Sequence, residues 1–234
     1  MGIFGKPNIE KLQARQDING LVKALTDPGA CRQALLALGQ LNAQEAVPDI
    51  TRLSKDPAMQ ENIDAVFYTL GNLKGKTAND WLLGVFENDE IWGGDEKRIQ
   101  MIADHLGLGL GMIKDPASME PLIKQLKNPD FHRCKAAIHA LRAMGNPASI
   151  PPLFEALAAA APAQKVEIIS ELKFFIHPEV ARRLVEYYPV PSLCQAVFQA
   201  LEYITRRDPG ILEMLKESLD PVGAPIFKRL ADNQ

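Results

Sequence analysis

The chain has no long apolar run. No segment reaches 18 consecutive apolar residues, so nothing in it reads as a membrane-spanning helix. Cysteine is scarce: Cys31, Cys134 and Cys194 are an odd number, far apart, with no CxxC pair. That argues against a disulfide frame or a thiolate zinc site and suits a reducing cytoplasm. Excess charge is missing as well. A net charge of −3 and a pI of about 5.9 argue against a protein whose main task is gripping nucleic-acid phosphates. Met1 to Pro7 hold no apolar core of a signal peptide, and Lys6 stands where a myristoylation signal at Gly2 needs Ser or Thr. Sustained strand-like alternation is absent too, which predicts β structure near zero.

What remains is an ordinary soluble-globular mixture, 47% hydrophobic and 24% charged, with enough apolar side chains for a sizeable core in 234 residues. That mixture repeats. Leu38, Leu70, Leu106, Leu141, Leu172 and Leu201 recur at spacings of 32, 36, 35, 31 and 29 residues. Four residues before each stand Ala34, Val66, Ile102, Ala137, Ile168 and Val197, and three before stand Leu35, Phe67, Ala103, Ile138, Ile169 and Phe198. Three after stand Leu41, Leu73, Gly109, Met144, Phe175 and Ile204. Offsets of −4, −3, 0 and +3 trace one face of an α-helix.

A second helix is predicted after each of these. Its clearest copies run Val47-Pro48-Asp49-Ile50 to Leu53, Glu120-Pro121-Leu122-Ile123 to Leu126 and Pro151-Pro152-Leu153-Phe154 to Leu157, with a leading copy from Gly20 to Leu25. Proline suits a first helical turn, where its missing N–H has no partner anyway. Seven Asx–Pro pairs, at residues 27, 56, 115, 128, 146, 208 and 220, stop one helix and start the next. The reading is all-α: helices of roughly 10–16 residues paired in units of about 30–36. Such a hairpin cannot bury its apolar face alone and must stack on its neighbours. The predicted architecture is a right-handed α-α superhelix of about six to seven hairpins, a single domain over 1–234. Its last helix, Pro221 to Ala231, ends in polar residues like a cap.

The phrase Ala37-Leu38-Gly39-Gln40-Leu41, followed by Ala46-Val47-Pro48-Asp49-Ile50 and Leu53, resembles HEAT repeats of the short bacterial and archaeal type, the type also found in phycobilisome lyase subunits. The resemblance runs from about Ile9 to Asp232. Lys173 and Glu202 depart from it where the glycine stands elsewhere. It implies the same solenoid. It also brings three enzymatic alternatives. One class of HEAT-repeat enzyme, the deoxyhypusine hydroxylases, holds di-iron with His-Glu pairs, but no HExxH motif and no adjacent His-Glu pair occurs here. HEAT-like alkylpurine DNA glycosylases need a cationic surface with aromatic and carboxylate groups; Trp81, Trp92 and Asp80 could be nominated, against an acidic pI. A bilin lyase component would have to bind a tetrapyrrole.

The irregular places carry little chemistry. Gly107, Gly109 and Gly111 lie behind a helix rather than a strand, so they read as letting the two helices of a repeat approach closely, or as fraying the helix C-terminus, not as a phosphate loop. His132 and His139 lie two turns apart, too far to share a metal without a third element. The three cysteines each stand seven residues before a column leucine, a small apolar slot. Thus no catalytic residue, no metal ligand and no cofactor is expected. The segment Glu87 to Glu96 lengthens one connection and places Trp92 among acids and glycines, either as a loop anchor for a partner or as packing.

A stack of hairpins offers an extended surface lined by equivalent positions of its second helices. Three and four residues after the proline position stand Lys23 and Ala24, Thr51 and Arg52, Lys124 and Gln125, and Glu155 and Ala156; Arg182 and Arg183 take the same place by helix period. The expectation is a non-catalytic scaffold or adaptor binding a protein or peptide along Lys23, Thr51, Arg52, Lys124, Gln125, Glu155, Arg182 and Arg183, with Trp92 as a further anchor. The opposing reading is an enzyme or enzyme subunit. Self-association is a third, and the oligomeric state is left open.

Overall fold

We describe the protein from a computed structural model over residues 7–53, 61–218, 226, 227 and 230. Local chemistry fixes its helix boundaries. Five Asx–Pro pairs lie in these residues, and in each the Asx side chain accepts the backbone N–H two residues on: Asp27 from Gly29, Asp115 from Ala117, Asn128 from Asp130, Asn146 from Ala148 and Asp208 from Gly210, at 2.9–3.0 Å. Such an Asx turn holds the chain out of helical geometry for one residue and satisfies a donor the next helix leaves open. The pairs at 56 and 220 lie outside the described residues.

The helices fall into two compact units, 1–144 and 145–234. In the first, α1 (Ile9–Ala14) and α2 (Ile18–Ala24) lead to α3 (Cys31–Gln40), α4 (Val47–Leu53), α5 (Ile63–Leu73), α6 (Gly75–Gly84), α7 (Glu96–Ile113), α8 (Met119–Gln125) and α9 (Phe131–Met144). The leucine-bearing helices α3, α5, α7 and α9 pack in a row, each on the next, with α2, α4, α6 and α8 against them. The second unit holds α10 (Ile150–Ala159), α11 (Pro162–Leu172), α12 (Pro178–Val185), α13 (Cys194–Arg207) and α14 (Pro209–Ser218). There α11 packs on α13, and α12 on both α13 and α14. No strand occurs among the described residues. Of the expected C-terminal cap only Ile226, Phe227 and Leu230 are described, all buried; the rest lies outside the described residues.

All six column leucines are fully buried at 0% exposure. The residues three and four before them are buried as well, so the repeat period is a core period. Several second helices are shorter than expected, seven residues in α4 and α8. A 3-10 turn takes over their first turn, at Gln44–Ala46 before α4, Pro116–Ser118 before α8 and Pro147–Ser149 before α10. The prolines at 48, 121 and 152 still fall within the first three positions of α4, α8 and α10.

The glycines of α7 do not fray it; the helix runs for 18 residues through all three. They let neighbouring leucine-bearing helices approach, rather than the two helices of one repeat. A Cβ on Gly107 would meet the Ala136 carbonyl oxygen at 2.7 Å, and one on Gly111 would overlap the Ala143 side chain, both on α9. On the other flank, a Cβ on Gly109 would lie 2.8 Å from the Phe67 carbonyl oxygen of α5, and one on Gly71 would lie 2.9 Å from the Gly109 Cα. Real Cβ atoms do not come that close, so α5, α7 and α9 sit flush only because these side chains are missing.

Candidate interaction site

The ladder of second-helix residues separates by position. Three residues after the proline position the side chains face water: Lys23, Lys124, Glu155 and Arg182 are exposed and Thr51 is half-buried. Four residues after it, Ala24 is 3% and Gln125 9% exposed, while Arg52 is exposed and Arg183 half-buried. In α2, α8, α10 and α12 the helix is rolled so that the later position leans toward the core; in α4 the order is reversed. Gln125 therefore leaves the outward set. Its amide nitrogen donates to Glu87 at 2.9 Å and its amide oxygen accepts from Asn128 at 2.7 Å.

Several of the outward groups already have local partners. The Thr51 hydroxyl donates to the Pro48 carbonyl at 3.1 Å. Arg52 pairs with Asp49 at 3.0 Å on the same helix. Arg182 makes two hydrogen bonds to the carboxylate of Glu179, at 3.0 and 2.8 Å, and lies 3.8 Å from Glu186. The hydrogen bond from Arg182 holds the Glu179 carboxyl below its ordinary range. Arg183 places its guanidinium 4.3 Å from the centroid of the Phe154 ring, a cation–π contact that packs α12 on α10. Within the first unit, then, Lys23, Arg52 and Lys124 form an exposed set of one sign. In the second unit Glu155 and Arg182 are exposed and of opposite sign.

Trp92 is not an exposed anchor in this structure. It is 5% exposed, and its indole N–H donates to the Val85 carbonyl at 2.8 Å. The Arg133 guanidinium lies 5.4 Å from the ring centroid. It also donates to the Phe86 carbonyl at 2.8 Å and pairs with Asp89. Arg98 holds the far side, donating to the Gly93 carbonyl at 2.9 Å. The lengthened connection is thus a packed element, clamped by an arginine from α9. The other groups nominated for a DNA-acting site are also engaged. Asp80 pairs with Lys76 at 2.6 Å, and Trp81 packs tilted on Phe67 with ring centroids 6.2 Å apart.

Among the described residues no three His, Cys, Asp or Glu side chains gather where they could hold a metal ion. Two of the histidines bridge helices: His132 of α9 lies 3.3 Å from Glu96, and His139 3.3 Å from Asp104, both on α7. Cys31 and Cys134 are buried. Burial pushes the Cys134 thiol up to about 11, which keeps it protonated and unreactive near neutral pH.

Two features escaped sequence reasoning. Arg32 and Asp64, both six residues before a column leucine, make a two-point ion pair at 3.0 and 2.7 Å between α3 and α5. Burial pushes the Asp64 carboxyl up. Hydrogen bonds from Arg32 and the Ala65 N–H, with the arginine charge, outweigh it and hold the group below its ordinary value. The same position recurs as Gln100 and Lys135, where the lysine donates at 3.2 Å. The second unit also has a shallow pocket of about 230 Å3, lined by Pro162, Lys165, Tyr187, Val190 and Leu193 among others. Aligning the repeats at the −6 column would have suggested the ion pair; nothing local in the sequence marks the pocket.

Rows of leucine-bearing helices, all but α5 followed by a proline-opened partner, define a helical-hairpin repeat protein. The chain carries HEAT repeats: the model of HEAT repeats matches residues 95–173 and the model of the PBS lyase HEAT-like repeat matches residues 30–56. Among solved structures it is similar to human deoxyhypusine hydroxylase in complex with glycerol, at 17% identity and a TM-score of 0.40, over 96% of this chain and 98% of that one. No curated protein matches it.

Proposed function

We propose that the chain is a cytoplasmic, non-catalytic repeat scaffold that binds an extended protein or peptide segment along the outward residues of its second helices, its two units belonging to one run of repeats. The observation that carries this reading is positional. Four of the second helices, α2, α8, α10 and α12, expose a polar residue at one repeat position, as Lys23, Lys124, Glu155 and Arg182, while the position after it is buried or half-buried; in α4 the exposed residue is Arg52, one position later. A repeated exposed position at regular intervals suits a segment read residue by residue, and it offers no convergent reactive centre. In the first unit Lys23, Arg52 and Lys124 favour a segment with carboxylates at matching intervals.

The test is affinity capture from lysate with the full chain, quantified by mass spectrometry, beside the triple variant Lys23→Glu, Arg52→Glu, Lys124→Glu. Arg183 is left intact because it packs on Phe154. The expected result is one or more captured proteins, each depleted at least about tenfold by the variant, the scale of losing several charge contacts. Equal retention by both proteins, or no specific capture, would overturn the reading.

A further inference from the structure

In the second unit the positions two residues after the column leucines are aromatic: Phe174, just past the end of α11, and Tyr203 on α13. In the first unit the equivalents are Gln40, Asn72, Leu108 and Ala143, none of them aromatic. The two rings meet edge to face with centroids 5.3 Å apart, yet Phe174 remains 39% exposed. Val166 on α11 and Ile176, two residues beyond Phe174, are 39% and 40% exposed. Among the described residues these are three of the six large apolar side chains that stand out most into solvent, and they lie within eleven residues of one another in sequence.

Two cations flank the rings. Lys173 Nζ lies 5.0 Å from the Phe174 centroid and 6.0 Å from that of Tyr203. The Arg207 guanidinium, one turn beyond Tyr203, lies 5.0 Å from its centroid. Neither cation reaches a carboxylate among the described residues. Arg182 and Arg206 of the same unit are paired with carboxylates, Arg182 with Glu179 at 2.8 Å and Arg206 with Glu202 at 3.0 Å, while Arg183 lies over the Phe154 ring instead. A cation over a ring keeps its charge and its N–H donors, because the ring face accepts only weakly. Helix C-termini make the positions of Lys173 and Arg207 electrostatically comfortable, but a dipole does not supply a counter-ion.

We propose that this face of the second unit, built on the Phe174–Tyr203 pair and flanked by Lys173 and Arg207, docks an acidic peptide segment carrying an apolar side chain. The apolar side chain lies against the rings and the exposed aliphatic groups. The carboxylates on either side of it reach the two cations. Charge complementarity selects this occupant: a second copy of the same face would set like charges together, and a basic segment would be repelled. The surface is separate from the second-helix ladder, and its test does not depend on that reading.

The probe is a short fluorescein-labelled peptide, acidic except for one central phenylalanine, titrated with the full chain and followed by fluorescence anisotropy. Controls carry lysine for every acid, or alanine for the phenylalanine. The expected result is saturable binding of the acidic peptide. Each control weakens it at least about tenfold, as does the double variant Lys173→Glu, Arg207→Glu. Tyr203→Ala weakens it while circular dichroism stays unchanged; the conservative Tyr203→Phe retains it. Equal binding by the double variant, absence of saturable binding, or equal binding of the lysine peptide would overturn the proposal. So would dimerisation in sedimentation that the double variant abolishes. A face that binds phosphatidylserine vesicles and not the peptide would overturn it too.

Discussion

The glycine contacts of α7 make a prediction whose sign runs against helix propensity. In an open helix position, Gly→Ala gains about 0.5–1 kcal/mol because alanine loses less backbone freedom on folding. At Gly107 that gain is opposed by a Cβ lying 2.7 Å from the Ala136 oxygen, and at Gly109 by one lying 2.8 Å from the Phe67 oxygen. Both obstacles are backbone atoms of packed helices, so relief requires the helices to part. Overpacking of this kind costs about 1–3 kcal/mol. The net expectation is destabilisation by up to about 2 kcal/mol for Gly107→Ala and for Gly109→Ala. The molecule contains its own control. Gly84 is exposed, lies in α6 and has nothing within 4 Å of its Cβ position, so Gly84→Ala raises stability by as much as about 1 kcal/mol. Urea unfolding followed by circular dichroism compares the three midpoints. If Gly107→Ala or Gly109→Ala unfolds at the same urea concentration as Gly84→Ala, the flush packing of α5, α7 and α9 is wrong.

Two further predictions come from the packed connection and the α3–α5 ion pair. Trp92→Ala costs about 3–5 kcal/mol in the same urea assay, as for loss of a buried indole; a cost under about 0.5 kcal/mol, typical of surface positions, would contradict its burial. Asp64→Asn removes the partner of Arg32 and costs up to about 1 kcal/mol at neutral pH, the scale of a partly exposed ion pair. Because the folded Asp64 carboxyl titrates below its ordinary 3.8, its contribution is present above that pH and is lost as the pH falls through the folded value. The variant and the wild type therefore converge in stability in acid, and a gap that does not begin to narrow as the pH falls below 3.8 counts against the assignment.

The core was readable because burial in a repeat protein is periodic. Within each unit the leucine-bearing helices pack on one another, α3, α5, α7 and α9 in the first and α11 and α13 in the second, so one aligned column tests six equivalent environments at once. Trp92 was harder. Its local sequence, acids and glycines, describes a loop, whereas its burial depends on Arg133, 41 residues later on α9. Gln125 failed for a smaller reason. A modest roll of the second helices decides whether the residue four after the proline faces water, and helix period alone leaves that angle open. The Phe174–Tyr203 face needed two residues 29 apart to be placed side by side. The glycines are sites of close approach as expected, but between neighbouring leucine-bearing helices rather than between the two helices of one repeat, because the helix period does not say which neighbour each face meets.

The Asx–Pro corners carry their instructions within three residues. Asp115 holds Ala117, Asn146 holds Ala148, and neither corner's hydrogen bond draws on a neighbouring repeat. Punctuation of that sort is portable. A hairpin copied with its corner brings its own start signal, which suits lengthening or shortening the array by whole units. The flush glycine face of α7 has the opposite character. It is matched to two particular flanking helices, so the middle of the first unit is the place where a transplanted hairpin would not fit.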